Sequence, residues 1–169
     1  MNASGLAAVP SVTVAVADYA NDQDAADLVT LLNAYAVDPM GGGAPLEDKV
    51  REQVVPGLLK TPGAFSIIAR SESQAVGLAN CFMGYSTFAA APLVNVHDLV
   101  VDATHRGRGI GKALLAAVDA EARSRGACKV TLEVLTGNEP AKALYAGAGF
   151  RDYQLDPAAG HALLWQKKL

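Results

Sequence analysis

Positive charge and glycine are concentrated in one short segment of this chain. The segment consists of His105, Arg106, Gly107, Arg108, Gly109, Ile110, Gly111 and Lys112. Glycine lets backbone amides approach a ligand closely, and the free amides at the start of a helix attract anions. The segment falls between a predicted strand and a predicted helix, so the pattern predicts a phosphate or pyrophosphate site.

The spacing within this loop excludes two common nucleotide-binding motifs. A Walker loop would need glycine in place of Arg106 and serine or threonine in place of Ala113. A dinucleotide fingerprint that began at Gly107 would need glycine in place of Lys112. The spacing that fits is Arg-x-x-Gly-x-Gly, formed by Arg106, Gly109 and Gly111. On its own, such a loop is equally compatible with an ordinary strand-to-helix turn that carries solvated cations.

A second motif lies downstream of the loop. It contains Asn138-Glu139-Pro140, then Leu144-Tyr145, then Gly147-Ala148-Gly149-Phe150. In this order, the two motifs resemble those of the GNAT superfamily of acyl-coenzyme A-dependent N-acetyltransferases. The resemblance covers residues 93–151, whereas the residues before 93 match the family only in the order of their elements.

The resemblance implies an α/β (α+β) fold. Its mixed, mostly antiparallel sheet is expected to have six to seven strands, to be splayed at the centre and to be flanked by about four helices. We expect one N-acetyltransferase domain over residues 1–169. Residues 11–92 would form the acceptor-side half, 93–151 the acetyl-CoA-binding half, and 152–169 the C-terminal strands.

The resemblance also implies acetyl-CoA (coenzyme A) as the co-substrate. In the family, the loop amides hold the coenzyme A pyrophosphate, and the preceding strand pairs with pantetheine as if it were another strand. By motif match, the cofactor-binding residues are Leu99, Val100, Val101, Arg106, Gly107, Arg108, Gly109, Ile110, Gly111, Lys112, Asn138 and Tyr145.

Tyr145 matches the tyrosine that commonly protonates the departing thiolate in this family. The acceptor amine attacks the thioester directly in a ternary complex, without a covalent acyl-enzyme intermediate. A phenol suits the acid role because it is neutral at pH 7 and can donate a proton as charge develops on sulfur. The alternative is that Tyr145 only packs its helix.

The candidate bases are His97 and Asp98, on the strand that leads to the loop. An amine is mostly protonated at neutral pH, so a group must accept its proton before attack. Adjacent strand residues face opposite sides, so only one of the two points into the acceptor cleft unless a bulge intervenes. Spermidine/spermine acetyltransferases, which the second motif resembles, carry Glu-Asp here, and His97 departs from that pattern. Imidazole is nevertheless a competent base.

The acceptor side is expected in the first half of the chain. Tyr35, Asp38 and Gly41–Gly43 fall where the family places its acceptor-side helix and loop, and the glycines predict either a mobile lid or a plain connection. Together with His97 and Asp98, Tyr35 and Asp38 are the candidate substrate-binding residues. The acceptor could be a polyamine, an amino acid, an aminoglycoside-like amine, or a protein N-terminus or lysine.

Two other functions remain open on the sequence alone. The first is a non-catalytic domain that binds or senses acyl-CoA, although Tyr145 and the His97-Asp98 pair favour an enzyme. The second is a binder of nucleotide phosphates, which predicts that ATP competes at least as strongly as coenzyme A.

Composition restricts the class of protein. The chain has 169 residues, 51% of them apolar and 18% charged, with a net charge of −3, which excludes intrinsic disorder and argues against nucleic-acid binding. It has no apolar run long enough to span a membrane and no basic start typical of a secretory signal. The two cysteines, Cys81 and Cys128, lack metal-ligand spacing, so we expect reduced thiols, no metal and a cytoplasmic location. A homodimer is expected only by analogy with the family.

Hydrophobic periodicity predicts the elements that must position these residues. The segment Asn21-Asp22-Gln23-Asp24 offers cap residues for a first helix. A second helix over residues 46–59 contains Pro56, which is expected to kink or end it. Another helix follows the glycine-rich loop, and a short one spans residues 139–146. Strands are predicted over residues 12–17, 64–70, 74–85, 93–101, 129–134, 150–155 and 162–166.

Overall fold

The computed structural model describes residues 11–153, 156, 158, 160 and 162–169. Its strands are β1 (Val12–Val16), β2 (Ala64–Ser71), β3 (Gln74–Ser86), β4 (Ala91–Val101) and β5 (Val130–Leu132). Its α-helices are α1 (Asp22–Val37), α2 (Asp48–Lys60), α3 (Ile110–Ser124) and α4 (Glu139–Gly147), and a 3-10 turn spans Ala103–His105.

The strands form one mixed sheet in the order β1-β2-β3-β4-β5. Strands β1 to β4 pair in an antiparallel manner, and β5 pairs with β4 in parallel. The α/β class, the mixed and mostly antiparallel sheet and the four helices therefore agree with the sequence analysis. The expected six to seven strands are not confirmed, because the described residues form five.

The two late strands account for this difference. Residues 162–166 form no strand, and neither do residues 150–153, while 154 and 155 lie outside the described residues. The alternation of Leu164 and Trp165 fits the strand pattern, but their side chains are 79% and 85% exposed. In the described part of the chain, no packed layer buries them, and the periodicity alone is insufficient to form a strand.

The start of α1 follows from a local capping residue, whereas the end of α2 does not follow from its proline. Of the four candidate cap residues, Asn21 caps α1, because its side chain accepts hydrogen bonds from the amides of Gln23 and Asp24. Pro56 does not end α2, which continues to Lys60. The reason is that Val55 and Leu58, on either side of the proline, are buried against the sheet and hold the helix in place.

Helices cover both faces of the sheet. On one face, α3 packs Ile110, Leu114 and Val118 against residues such as Val76 and Val96. On the other face, α1 and α2 pack Leu28, Leu31, Val55 and Leu58 against Ile68, Leu78 and Val100. Strand β4 is thus enclosed on two sides, and the α1/α2 layer lies over the face that carries the predicted acceptor residues.

The sheet opens along one edge of β4. Strand β4 pairs with β5 only over Val94–Val96, so from His97 to Val101 its β5-side edge has no strand partner within the described ranges. The opening begins at a β-bulge, where Asn80 pairs with Asp98 and Cys81 pairs with Val96, leaving His97 as the extra residue.

Candidate active site

The glycine-rich loop leaves backbone amides exposed at the start of α3. Gly107 and Gly109 have φ values of 76° and 81°, a left-handed conformation that favours glycine. Gly109 is the N-cap of α3, and no side chain of the described residues caps this end. The first amides of a helix lack intrahelical acceptors, so those of residues 110–112 are available to an anion.

The loop is open at Gly107 and Gly109 and tightly packed at Gly111. A Cβ atom at Gly107 or Gly109 would meet nothing within 4 Å, so both positions are open. A Cβ atom at Gly111 would lie 2.8 Å from Cδ2 of Leu144, which shows that α3 packs closely against α4 there. Because Leu144 is next to Tyr145, this contact sets the position of the predicted acid relative to the loop.

Arg106, a predicted cofactor-binding residue, forms an ion pair with Asp38, a predicted acceptor-binding residue. Its Nη2 atom lies 2.7 Å from Oδ2 of Asp38, and its Nε donates to the Val101 carbonyl oxygen at 3.1 Å. The hydrogen bond from Arg106, followed by one from the Met40 amide, holds the pKa of Asp38 below its usual range. The carboxylate of Asp38 is therefore ion-paired with Arg106. Arg108 and Lys112, the other cations of the loop, are exposed.

The glycine run after α1 forms a hydrogen-bonded turn. The carbonyl oxygen of Asp38 accepts hydrogen bonds from the amides of Gly41, Gly42 and Gly43 at 2.8, 3.1 and 3.2 Å. Of the two interpretations of this run, the geometry favours a compact connection that Asp38 organises. The ion pair with Arg106 then links this connection to the glycine-rich loop.

The strand residues predicted to pair with pantetheine lie on the open edge of β4. Leu99 and Val101 are half-buried and Val100 is 5% exposed, so their side chains anchor the strand in the two cores while the β5-side edge stays unpaired. An extended chain could add to this edge through backbone hydrogen bonds. The role of the three residues stays a prediction.

The bulge brings His97 and Asp98 to the same cavity. Without a bulge, adjacent residues would face opposite sides of the sheet. Here both line one cavity, with the His97 ring edge-on to Phe82 at 5.5 Å between centroids. Asp98 is half-buried, and its Oδ2 accepts a hydrogen bond from Nδ2 of Asn80 at 3.0 Å.

This acceptor cavity has a volume of about 310 Å³ and lies between the α1/α2 layer and the sheet. Its lining residues are Leu32, Tyr35, Ala36, Gly41, Leu46, Val54, Leu58, Asn80, Phe82, His97 and Asp98. Apolar side chains form most of the wall, and Asp98 is the one carboxylate in this set.

Tyr145, the predicted acid, lies on α4 and is not among the residues that line the acceptor cavity. Its ring is edge-on to Phe150, with 6.0 Å between centroids. Burial raises the pKa of Tyr145, and the phenol of Tyr35 adds to the rise. Burial also raises the pKa of Tyr35, with further contributions from Asp98 and Asp38. Both phenols therefore keep their protons at neutral pH.

Asn138 has a structural function that the motif alone does not reveal. It is the N-cap of α4, and its Oδ1 accepts a hydrogen bond from the Ala141 amide at 3.2 Å. This cap fixes the start of the helix that carries Tyr145. Contact of Asn138 with the cofactor stays a prediction.

Sequence reasoning missed the polar residues behind Asp98. Asn80 and Ser66 are 3% and 0% exposed, and Tyr19 contacts Ser66 from the connection before α1. The available signal was Asn80 itself, a polar residue inside the otherwise apolar and small-residue strand β3.

Neither a metal site nor a membrane-spanning helix is found in the described part of the chain. Its His, Cys, Asp and Glu side chains form no group of three or more that could hold a metal ion. No helix there is both long and apolar enough to cross a bilayer.

Comparison with known proteins establishes the family. The model of the acetyltransferase (GNAT) family matches residues 25–150, most of this chain. The chain therefore belongs to the acetyltransferase (GNAT) family, which confirms the family that the two motifs resemble.

Curated relatives match this chain over only part of their own length. The mycothiol acetyltransferase of Thermobispora bispora is 32% identical over 123 residues, which cover 73% of this chain and 41% of that protein. N-acetyltransferase 8F1 of Rattus norvegicus is 34% identical over 93 residues, which cover 55% of this chain and 42% of that protein. The chain thus spans about two fifths of the length of these relatives.

Solved structures support the fold. A ribosomal-protein-alanine N-acetyltransferase from Brucella melitensis biovar Abortus superimposes with a TM-score of 0.65 at 23% identity, covering 86% of this chain and 99% of that one. An aminoglycoside N-acetyltransferase in complex with CoA gives a TM-score of 0.72 at 18% identity, with 95% and 99% covered.

Proposed function

We propose that this chain transfers the acetyl group of acetyl-CoA to a small primary amine by direct attack in a ternary complex. The observation that carries the proposal is the open edge of β4, which runs from the glycine-rich loop at Val101 to the acceptor cavity at His97. A cofactor held by its pyrophosphate at the loop and paired along this edge would present its thioester at the cavity.

The loop would supply the cofactor's anchor. Amides of residues 107–112 would bind the pyrophosphate, with the helix dipole of α3 and the charges of Arg108 and Lys112 favouring a dianion. Leu99, Val100 and Val101 would offer backbone groups to the two pantetheine amides, and Asn138 would approach from α4. The single-domain organisation, with an acceptor half and a cofactor half, follows from this placement.

Three proton transfers complete the reaction. Asp98 or His97 accepts a proton from the ammonium group, and the free amine then attacks the thioester carbonyl carbon. When the tetrahedral intermediate collapses, the C–S bond breaks and the thiolate takes the hydroxyl proton of Tyr145. The former amine nitrogen then releases its second proton, which restores the phenol and leaves a neutral amide. Burial raises the pKa of Tyr145, so its phenol carries the required proton at neutral pH.

The lining of the acceptor cavity supports, as the acceptor, an amine with one charge and an apolar body. Leu32, Leu46, Val54 and Phe82 offer apolar surface, and Asp98 offers one negative charge. A polyamine or an aminoglycoside would bring further cations into this wall, where unpaired charge is costly. A cavity of about 310 Å³ also suits a small ligand better than a folded protein.

A thiol-release assay with an amine panel tests the proposal. The panel contains arylalkyl and alkyl monoamines, a polyamine, an aminoglycoside, an amino acid and a peptide with a free N-terminus. We expect the highest kcat/KM with an apolar monoamine, and weaker competition by ATP than by coenzyme A. Acetyl-CoA binding without turnover of any amine would instead support the non-catalytic acyl-CoA-binding alternative.

A further inference from the structure

A row of buried polar side chains crosses three strands and ends at Asp98. The strand register places Ser66 opposite Asn80, and Asn80 opposite Asp98. Ser66 Oγ lies 2.6 Å from Oδ1 of Asn80, whose Nδ2 donates to Oδ2 of Asp98 at 3.0 Å. At the other end, the Tyr19 hydroxyl lies 2.8 Å from Ser66 Oγ.

The hydrogen bonds of this row run in one direction. Asn80 must turn its amide nitrogen toward Asp98, because its oxygen would be repelled by a carboxylate. The Asn80 oxygen therefore accepts the single proton of Ser66, which leaves Ser66 to accept from Tyr19. Every donor in the row points toward Asp98.

Burying the polar side chains of this row costs free energy that their hydrogen bonds must offset. Ser66 and Asn80 are 0% and 3% exposed, and burying polar groups costs free energy unless each finds a partner. Apolar residues fill neighbouring positions of the same strands, such as Ile67 and Leu78. A fully satisfied row of this kind rigidifies its members and fixes one arrangement.

We propose that Asn80, supported by Ser66 and Tyr19, is a positioning residue that orients Asp98 as the proton acceptor of the reaction. The row fixes Oδ2 of Asp98 and leaves Oδ1 to the ammonium group in the acceptor cavity. His97, the extra residue of the bulge, lines the cavity beside it and contacts substrate instead. This inference rests on the proposed acetyl transfer and decides between the two candidate bases.

A double-mutant cycle on kcat tests the role, using the best amine of the panel. We expect Asp98→Asn to lower kcat roughly 100-fold or more, as loss of a general base does. Asn80→Ala should lower kcat roughly 10- to 100-fold, because a hydrogen bond to a charged group is lost, with the KM for acetyl-CoA unchanged. In the Asp98→Asn background, Asn80→Ala should cause no further loss, since it acts only through that carboxylate.

Two further variants separate positioning from stability. Ile67→Val removes a buried methylene from β2 outside the row, so it should lower the melting temperature and leave kcat unchanged. Tyr19→Phe removes only the terminal donor, and it carries the test if Asn80→Ala does not fold. We expect a loss of about 2- to 5-fold in kcat that disappears in the Asp98→Asn background.

The outcomes distinguish this inference from the proposed function. If no amine is acetylated, the proposed function fails; if Asp98→Asn retains full kcat, the assignment of the base to Asp98 fails with the inference. If Asp98→Asn is impaired but Asn80→Ala or Tyr19→Phe lowers kcat equally in both backgrounds, or not at all, the positioning role is refuted and acetyl transfer stands.

Discussion

Gly109 offers a direct test of the anion site, because asparagine and aspartate there differ only in charge. Its φ of 81° is left-handed, a conformation that both residues tolerate better than most, and a Cβ atom would meet nothing within 4 Å. We therefore expect both variants to fold, each with a cost of about 1 kcal/mol for the backbone conformation. Because residue 109 directly precedes the free amides of residues 110–112, we expect either side chain to compete with the pyrophosphate for space and to weaken acetyl-CoA binding.

The charge of the Gly109→Asp variant adds a further penalty that can be estimated. A unit charge about 5 Å from a phosphate interacts with about 3 kcal/mol at an effective dielectric constant of about 20. Since about 1.4 kcal/mol corresponds to a factor of ten, Gly109→Asp should bind acetyl-CoA roughly 100-fold more weakly than Gly109→Asn.

Isothermal titration calorimetry at two salt concentrations measures this difference. The gap between the variants should narrow at high salt, because screening reduces the repulsion. Circular dichroism and melting temperatures serve as controls for folding. Equal acetyl-CoA affinity of the two folded variants would show that the pyrophosphate does not bind at this loop.

Three other predictions concern the acid and the ion pair. Tyr145→Phe should lower kcat about 100-fold and leave the Kd for acetyl-CoA within about 2-fold, measured by thiol release and calorimetry; an unchanged kcat would exclude the acid role. Because burial raises the pKa of Tyr145 above the value of about 10 for a free phenol, its proton remains as pH rises to about 9. The pH profile of kcat should therefore show no fall up to that pH, and a fall that Tyr145→Phe abolishes would contradict this. Asp38→Asn breaks the ion pair with Arg106, so it should tighten acetyl-CoA binding a few-fold by releasing the guanidinium and raise the KM for the amine by freeing the turn from the glycine-rich loop; unchanged values of both would show that the pair links neither site.

Local sequence patterns predicted the helices and strands where short-range interactions alone determine the structure. The cap at Asn21, the buried face of α3 with Leu114 and Val118, and the punctuation by glycine around the loop all follow from short-range chemistry. Pro56 does not end α2, one of its two expected effects, because tertiary burial of the helix outweighs the loss of one backbone hydrogen bond. The two late strands are not confirmed, because an alternating hydrophobic pattern does not show whether a packing partner exists.

Within the candidate site, side-chain pairs far apart in sequence could not be predicted. Arg106 and Asp38 are 68 positions apart, and Ser66 reaches Asn80 only through the pairing of β2 with β3. Such contacts depend on strand register, which is set by the whole hydrophobic pattern and not by any motif. Motifs therefore indicate Arg106 and Asp38 as separate candidates but not their contact, and no motif indicates Ser66.

The bulge in β4 explains why both His97 and Asp98 line the cavity, and its trace is visible in the strand's apolar residues. Val94 and Val96 pack in the α3 core, and so do Leu99 and Val101, although even and odd positions of a regular strand face opposite sides. One extra residue between Val96 and Leu99 resolves this parity conflict, and the register places it at His97. The extra residue also turns Asp98 toward Asn80. Pairing of β4 with β5 ends at Val96, so the open edge begins at this bulge. The core on the α3 face therefore requires the distortion, and the proposed roles of His97 and Asp98 depend on it.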